Sequence, residues 1–241
     1  MKSGPRVWAV VPAAGRGARM GSDIPKQYLE LAGRTILEHT LGRLLEESRI
    51  SAIVVALAAN DAQGAAIAAA CGARVRTTLG GAERCHSVLN GITALGARED
   101  DWVLVHDAAR PCLRRADLAR LIDTLADGNA CGGILGVPVK DTLKRCSAEG
   151  SIEATVDRSS LWHALTPQMF RAGVLRAALE AALANGRLVT DEAQAIEMQG
   201  LTPRMVEGHA DNLKITRPED LPLAEHFLQA LAEATRDSVC A

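Results

Sequence analysis

A loop near the start of the chain combines small residues with positive charge. It follows the apolar run 7–11, and its glycines and cations are Gly15, Arg16, Gly17, Arg19 and Lys26. Glycine lets the backbone approach a ligand closely, because it has no side chain and tolerates positive φ. Arginine and lysine supply positive charge for phosphate oxygens. This combination predicts a loop that binds a nucleoside triphosphate.

Two common phosphate-binding motifs do not match this loop. A dinucleotide-binding fingerprint has a third glycine three positions after the second, and here that position is Met20. A Walker loop has Gly-Lys followed by Ser or Thr, whereas Lys26 lies between Pro25 and Gln27. One alternative stays open at this point, namely an ordinary turn after a strand with solvated arginines, and Arg16 by itself fits that alternative.

Loops after later apolar runs carry further polar groups. Residues 80–81 are paired glycines before a helical pattern, in which the Ser87 hydroxyl is expected to donate to a base or a phosphate. After the run 102–105, Asp107 suits a ribose or polyol hydroxyl and Arg110 suits a phosphate. The alternative for that pair is a local salt bridge, which contributes little.

Three more residues belong to these loops. His106 is expected to be a structural hydrogen-bonding group rather than a base. Thr142 follows the run 133–137, and Lys214 lies in a polar segment near the end of the chain. Cations and hydroxyls therefore follow several successive runs.

The elements that must position these loops are strands alternating with helices. Apolar runs occur at 7–11, 53–57, 102–105 and 133–137, and amphipathic helical patterns fill the gaps. This alternation predicts an α/β fold with a Rossmann-like, three-layer arrangement, in which helices cover both faces of a mainly parallel sheet. Ligands of such sheets gather beyond the carboxyl ends of the strands.

Two capping boxes predict helix starts. Thr35-x-x-Glu38 predicts the start of the first clear helix, and Thr216-x-x-Glu219 predicts the start of the last one, with Pro218 in its first turn. The stripe predicted to be buried on the first helix is Ile36, Leu37, Thr40, Leu41, Leu44 and Leu45.

Composition limits the classes of protein. The 241 residues, 48% hydrophobic and 23% charged, fit one domain over residues 1–241. No apolar run approaches the roughly 20 residues that span a bilayer, so no membrane partner is expected. The 27 basic and 29 acidic residues give a net charge of -2, and only 2% of residues are aromatic. Nucleic-acid binding is not expected without a basic surface or stacking aromatics.

Cysteine spacing and the first residues indicate the compartment. The six cysteines show no Cys-x-x-Cys spacing, so they are expected to be reduced thiols in a cytoplasmic protein, with Cys85 a small core residue. Lys2 and Arg6 before an apolar run also suit a secretion signal. That alternative is disfavoured because the run is near the minimum of about 7 residues and is followed by Arg16 and Arg19.

Taken together, the loops are similar to those of one family. The chain resembles the 2-C-methyl-D-erythritol 4-phosphate cytidylyltransferases of the non-mevalonate isoprenoid pathway, from about the first strand to the last helix. The matching segments are 12–20, 25–28, 80–81, 84, 87–88, 106–111, 155–158, 161–168, 190–193 and 214–220.

The resemblance implies a transfer of CMP from CTP to 2-C-methyl-D-erythritol 4-phosphate. It implies that Arg19 and Lys26 stabilise charge on the α-phosphate, and that Arg158 and Lys214 position the sugar phosphate. The residues that it implies for nucleotide binding are Ala13, Ala14, Gly15, Gly17, Gly81, Ala82 and Ser87. Those that it implies for the polyol phosphate are Asp107, Arg110, Thr142, Thr166 and Thr190. The family often has an acidic residue where Ala82 stands, and a backbone contact there would survive the change.

The chemistry agrees with these roles. The second pKa of a phosphomonoester is about 6, so at neutral pH the acceptor is largely a dianion and needs no base. Preorganised cations and positioning should therefore carry catalysis. Mg²⁺ or another divalent cation is expected as the cofactor, held mainly by the CTP phosphates, because Mg²⁺ commonly takes few protein ligands in such sites.

Residues 139–160 are expected to form a β-arm. Residues 142–156 suggest two short strands around the tip 147–150, and such a ribbon is marginal alone. By resemblance, the arm clasps a second subunit and carries Arg158 into the partner's site, which predicts a homodimer. The alternative is a hairpin folded back on its own domain.

Two other functions remain open. Pentitol phosphates have a similar shape, so the acceptor could be ribitol 5-phosphate or another sugar phosphate. A catalytically silent nucleotide-binding scaffold is the alternative from another class. The presence of Arg19, Lys26, Arg158 and Lys214 together disfavours the scaffold.

Overall fold

The architecture is taken from a computed structural model of the chain. It describes residues 4–15, 24–126 and 130–239, with the side chains of 235–239 left out. The strands are β1 Val7–Pro12, β2 Glu30–Leu31, β3 Arg34–Thr35, β4 Ile50–Leu57, β5 Val75–Leu79, β6 Trp102–Val105, β7 Gly132–Pro138, β8 Leu143–Cys146, β9 Ile152–Val156, β10 Trp162–Arg171 and β11 Arg204–Glu207. The helices are α1 Ile36–Leu45, α2 Ala62–Ala70, α3 Arg84–Leu95, α4 Arg115–Ala126, α5 Ala172–Ala184, α6 Glu192–Glu197 and α7 Asp220–Val239.

Seven strands form the central sheet in the order β11-β7-β10-β6-β1-β4-β5. Strand β10 is antiparallel to both of its neighbours, and the other neighbouring pairs are parallel. Val10 of β1 pairs with Val54 of β4 and with Val105 of β6, and all three are buried. Such continuous burial is typical of a parallel sheet that is covered on both faces. The predicted α/β fold is confirmed.

Helices cover the two faces of this sheet with separate cores. On one face, α1, α2 and α4 contribute buried residues such as Leu41, Ala68 and Leu121. On the other face, α3, α5 and α6 contribute residues such as Val88 and Leu175. Helix α7 packs in a third cluster, where Ile36, Cys112 and Ile215 meet Ala224 and Leu228. The cores hold the strand ends rigidly, so the loops beyond them have a fixed framework.

One capping prediction is confirmed and the other is wrong. Thr35 Oγ1 accepts from the N–H of Glu38, and Glu38 Oε2 accepts from the N–H of Thr35 at 2.6 Å. At the last helix, however, Asp220 rather than Glu219 closes the turn. Asp220 Oδ2 accepts from the N–H groups of Thr216 and Arg217 at 2.7 and 2.9 Å. Helix α7 therefore begins at Asp220, and Pro218 precedes it.

Strands β8 and β9 form a separate antiparallel ribbon around the tip 147–151. The two strands predicted between 142 and 156 are therefore confirmed. Apart from the half-buried pair Leu143 and Val156 at its base, the ribbon is exposed on both faces, and Ile152 is 67% exposed. In the described part of the chain, no helix has the length and apolar character to cross a membrane.

Candidate active site

A cleft of about 320 Å³ opens at the carboxyl ends of the parallel strands. Its walls come from the loops after β1, β5 and β6 and from the segment before α7. The lining residues are Pro12, Ala13, Ala14, Gly15, Lys26, Gln27, Gly81, Ala82, Glu83, Arg84, Ser87, Asp107, Ala108, Ala109 and Lys214. Strand-end loops that sequence analysis treated one by one thus meet at a single site.

The loop after β1 is held from both sides. The N–H of Ala13 donates to Ala56 O at 2.8 Å, which continues the pairing of β1 with β4. From the other side, the buried amide of Gln27 donates to Ala13 O at 2.9 Å and to Gly15 O at 3.4 Å. The predicted residues Arg16, Gly17 and Arg19 lie outside the described residues.

Gly80 allows the loop after β5 to approach the loop after β1, and Gly81 allows it to pack against the start of α3. A Cβ at Gly80 would lie 2.5 Å from Ala14 Cβ, and one at Gly81 would lie 2.3 Å from His86 Cβ. Ser87 is buried, and its Oγ accepts from the N–H of Gly81 at 3.0 Å and donates to Glu83 O at 3.2 Å. Ser87 therefore shapes this loop, a role that the sequence interpretation did not assign to it.

Asp107 lies at the centre of a cluster of cations. Its Oδ1 accepts from Arg84 Nε at 3.0 Å, and its Oδ2 lies 2.9 Å from Lys214 Nζ and 3.6 Å from Arg110 Nε. Burial opposes ionisation of this carboxyl, but Arg84, Lys214 and Arg110 outweigh it and hold its pKa well below the usual range. Asp107 is therefore an anion that positions three cations.

Arg84 is fixed by two carboxylates. Its Nη1 and Nη2 donate to the two oxygens of Glu192 at 2.6 and 3.1 Å, while its Nε donates to Asp107. Burial opposes the charge on Arg84, yet Glu192 and Asp107 outweigh it and raise its pKa. Burial also raises the pKa of Glu192, and Arg84 offsets part of that rise. All three nitrogens of the guanidinium thus have anionic partners.

His106 belongs to a buried relay and not to the reacting groups. Thr166 Oγ1 accepts from the N–H of Asp107 at 3.1 Å and lies 2.9 Å from His106 Nδ1. His106 Nε2 donates to Arg110 O at 3.1 Å. Complete burial lowers the pKa of His106 to about 4, so the ring is neutral near pH 7. The expectation of a structural hydrogen-bonding role is confirmed.

A smaller cavity of about 190 Å³ adjoins the cleft. Arg84, Asp107 and Lys214 line both cavities, so they form a shared wall. The rest of the lining is Arg110, Ala164, Leu165, Thr166, Gln168, Thr190 and Asp191. Of the residues that sequence analysis predicted for a polyol phosphate, Arg110, Thr166, Thr190 and Asp107 therefore meet here.

Arg110 is almost enclosed in this smaller cavity. It is 8% exposed, and its Nη1 donates to Asn212 O at 2.6 Å. Among the residues that the structure describes, its Nε has no hydrogen-bond partner, and Asp107 Oδ2 lies 3.6 Å away. Burial lowers the pKa of Arg110, and Asp107 opposes that change. A cation in this environment is suited to bind a phosphate oxygen.

Two predicted site residues lie elsewhere. Arg158 and Thr142 are exposed at the base of the β8–β9 ribbon, where Arg158 Nη1 donates to Thr142 Oγ1 at 3.1 Å. Neither residue lines either cavity of this chain.

Sequence reasoning assigned no role to Gln27, Arg84 or Glu192. Arg84 lies three residues after the paired glycines, Gln27 is next to Lys26, and Glu192 lies in the matching segment 190–193, so all three belong to segments already singled out. Glu192 is 108 residues from Arg84, and no local pattern marks their contact.

The arrangement suits the transfer of a group between two phosphorylated ligands. The cleft combines close backbone with Lys26 and Lys214, as a polyphosphate requires, and the smaller cavity combines Arg110 with hydroxyl and carboxylate groups. Within the described ranges, no group of three or more His, Cys, Asp or Glu side chains could hold a metal ion.

Comparisons with known proteins agree along the chain. A family model described as IspD, 2-C-methyl-D-erythritol 4-phosphate cytidylyltransferase, matches residues 7–230. A curated protein of that name from Aeromonas hydrophila is 58% identical over 226 residues, which cover 93% of this chain and 90% of that protein. Another of the same name from Pseudomonas fluorescens is 54% identical over 220 residues, which cover 90% and 93%.

A solved structure of a protein with the same name is also similar to this chain. The crystal structure of the Francisella tularensis 2-C-methyl-D-erythritol 4-phosphate cytidylyltransferase is similar to this chain with a TM-score of 0.80 and 34% identity. The match covers 92% of this chain and 99% of that one.

Proposed function

Because the chain belongs to the 2-C-methyl-D-erythritol 4-phosphate cytidylyltransferase family, it transfers CMP from CTP to that polyol phosphate, and we propose that the two adjoining cavities are where the transfer takes place. The products are 4-diphosphocytidyl-2-C-methyl-D-erythritol and pyrophosphate. The first of these products is used in the non-mevalonate synthesis of isoprenoid precursors.

One observation carries the location of the reaction. Lys214 lies in the wall shared by the cleft and the smaller cavity, together with Arg84 and Asp107. CTP in the cleft and the polyol phosphate in the smaller cavity would bring the α-phosphate and the acceptor phosphate next to each other at these three residues. Adjacent placement converts a reaction between two ligands into an effectively intramolecular one.

The reaction itself needs no base. At neutral pH the acceptor phosphate is largely a dianion, because its second pKa is about 6. One of its oxygens forms a bond to the α-phosphorus of CTP, while the bond from that phosphorus to the bridging oxygen of pyrophosphate breaks. Negative charge accumulates around the α-phosphorus, so fixed cations lower the barrier.

The cations divide between the two ligands. Lys26 and Arg19 stabilise the charge on the α-phosphate, while Lys214 and Arg158 position the acceptor phosphate. Lys26 is supported by its place in the cleft beside the loop 13–15, and Lys214 by its place in the shared wall. The backbone of residues 13–15 and 81–82, shaped by Ser87, forms the bed for the nucleotide.

In this proposal, magnesium binds to the triphosphate of CTP. Asp107, a carboxylate in the cleft, is already engaged by Arg84, Lys214 and Arg110, so it is poorly placed to hold a metal. Mg²⁺ often keeps its waters and binds through substrate phosphates. When bound there, it neutralises charge on the phosphates that leave as pyrophosphate.

The active form in this proposal is a homodimer joined by the β8–β9 ribbon. The ribbon exposes both faces, including Ile152, and a two-stranded ribbon is marginal unless it packs on something. Arg158 lies at the base of this ribbon and not in the cavities of its own chain. A partner's cavity is a site that such an arginine can reach. A cytoplasmic location agrees with free thiols at Cys71, Cys85, Cys112, Cys131 and Cys146.

The test is an assay of pyrophosphate release with CTP, Mg²⁺ and a panel of acceptors. The panel contains 2-C-methyl-D-erythritol 4-phosphate, ribitol 5-phosphate and glycerol 3-phosphate. We expect release with the methylerythritol compound at a kcat/KM at least tenfold above the others. A higher value with ribitol 5-phosphate would overturn the acceptor assignment, and no release with any acceptor would overturn the enzymatic function.

A further inference from the structure

We propose that Glu192, which lines neither cavity, is a positioning residue for cytidylyl transfer and acts through Arg84. This inference rests on the proposed function of the two cavities. One continuous ion-pair chain, defined as Glu192, Arg84, Asp107 and Lys214, runs from the core into the shared wall.

Glu192, at the buried end of the ion-pair chain, is fixed by its surroundings. Glu192 is 1% exposed and is the first residue of α6, directly after the helix cap Asp191. Its neighbours Ala193 and Ile196 are packed in the core on that face of the sheet. The Glu192 carboxylate therefore has little freedom to move away from Arg84. A buried carboxylate with this geometry is costly to leave without its partner.

The Arg84 guanidinium, held by Glu192, in turn fixes Asp107 and Lys214 in the shared wall. Two parallel hydrogen bonds to Glu192 fix both the place and the plane of the Arg84 guanidinium. With the plane fixed, Nε can point only towards Asp107 Oδ1, at 3.0 Å. Asp107 Oδ2 is then directed at Lys214 Nζ, at 2.9 Å.

The balance of charges around Asp107 also indicates that Glu192 helps to hold Lys214 in position. Arg84, Arg110 and Lys214 are three cations, and Asp107 and Glu192 are two anions, so the cluster carries one net positive charge. Removal of the Glu192 charge would double that excess. Arg84 would then compete with Lys214 for Asp107 as their only anionic partner in the cluster. We expect Lys214 to lose its fixed position, because a lysine ammonium has many rotamers and no preferred plane.

The test compares Glu192→Gln with the wild-type enzyme. Glutamine keeps the shape of the side chain but turns one acceptor into a donor that faces Arg84. We expect a decrease of about tenfold in kcat/KM for the acceptor phosphate. A wild-type value in the folded variant would overturn the proposal.

A double-mutant cycle separates positioning from a merely structural effect. If Glu192 acts only through Arg84, then Glu192→Gln should cause less than a twofold further loss in an Arg84→Met background. Multiplication of the two losses would overturn the proposal. The matched control is Asp101→Asn, which changes another buried carboxylate paired with an arginine, Arg98, away from both cavities. We expect that control to stay within about twofold of the wild type, and an equal loss would overturn the proposal.

If Glu192→Gln does not fold, a second variant, Arg84→Lys, tests the same proposal. Arg84→Lys keeps the positive charge but replaces the planar fork with a single ammonium, so it cannot hold Glu192 and Asp107 in this geometry. The same loss of about tenfold is expected, and an unchanged kcat/KM would overturn the proposal. The activity of the wild-type enzyme distinguishes a failure of the proposed function from a failure of the role of Glu192. Absence of cytidylyl transfer by the wild type contradicts the proposed function, whereas transfer that is insensitive to both variants contradicts only the role of Glu192.

Discussion

Lys26 Nζ donates a hydrogen bond of 2.9 Å to the main-chain carbonyl oxygen of Ile215, the residue next to Lys214. The contact joins the loop after β1 to the segment before α7 across 189 residues of sequence. Both lysines therefore depend on one short segment, Lys26 through a hydrogen bond and Lys214 through the chain itself. Ile215 is fully buried, and its N–H donates to Ala109 O at 2.9 Å, which anchors that segment.

Replacement of Lys26 by alanine tests the main catalytic cation in the described part of the cleft. We expect Lys26→Ala to lower kcat by roughly two to three orders of magnitude, in the range observed for loss of one preorganised donor. Pyrophosphate release at saturating substrates measures this effect. The control Arg76→Ala removes a cation from an exposed position on β5 and should leave kcat within twofold. A Lys26→Ala variant with near-normal release would contradict the catalytic role.

Replacement of Gln27 by glutamate tests the bracing of the nucleotide loop. The Gln27 amide donates to Ala13 O and Gly15 O, whereas a carboxylate at that position would face both carbonyl oxygens without a hydrogen to donate. We expect Gln27→Glu to raise KM for CTP about tenfold, because an unpaired buried polar group costs roughly 1–3 kcal/mol. Titration of CTP at a fixed acceptor concentration measures this. Gln63→Glu on the exposed side of α2 is the control, and an equal rise there would contradict the explanation.

Much of the fold follows from local patterns in the sequence. The strand predicted at 102–105 has those bounds in the structure, and the Thr35 capping box forms as expected. Both patterns are visible within a few residues of the sequence. The start of α7 depends on which of two adjacent carboxylates reaches the turn, and the sequence pattern favoured Glu219 over Asp220. Spacing alone does not resolve that competition.

The site was only partly predictable for a related reason. The rule that ligands collect at strand ends brings Asp107, Lys214 and the glycine loops together without knowledge of contacts. The pairing of Arg84 with Glu192 depends on how α6 packs, and the partners of Gln27 depend on how its segment folds onto the loop after β1. Strand β10 inserts antiparallel between β6 and β7, and Glu192 at the start of α6 reaches Arg84 at the start of α3; neither feature has a local signature in the sequence.

Mixed dimers test whether Arg158 serves the partner's site. Lys26→Ala and Arg158→Ala should each be nearly inactive alone. If the sites are composite, a heterodimer of the two has one intact site and one site with both changes. Random exchange makes half of the dimers mixed, so we expect roughly a quarter of wild-type activity to return on mixing. The control mixes Lys26→Ala with Lys214→Ala, which lie in one cleft and give no intact site in this arrangement. No recovery in the first mixture would contradict shared sites.

Acid should destabilise the fold through His106. Its pKa is about 4 in the folded chain and about 6.5 when unfolded, so the unfolded state takes up a proton first as the pH falls. The contribution of the neutral ring to stability is complete above pH 6.5 and is lost between pH 6.5 and 4. From pH 7 to pH 5 this amounts to about 2 kcal/mol of the free energy of unfolding.

Urea unfolding at pH 7 and pH 5 measures that contribution. His106→Gln removes the titrating ring, so its free energy of unfolding should fall by about 2 kcal/mol less than that of the wild type over the same interval. The matched control is His163→Gln, which makes the same replacement at an exposed histidine. If His106→Gln and the wild type lose equal stability between pH 7 and pH 5, the ring is not held neutral by burial. The relay from Asp107 through Thr166 to His106 would then tolerate a protonated ring.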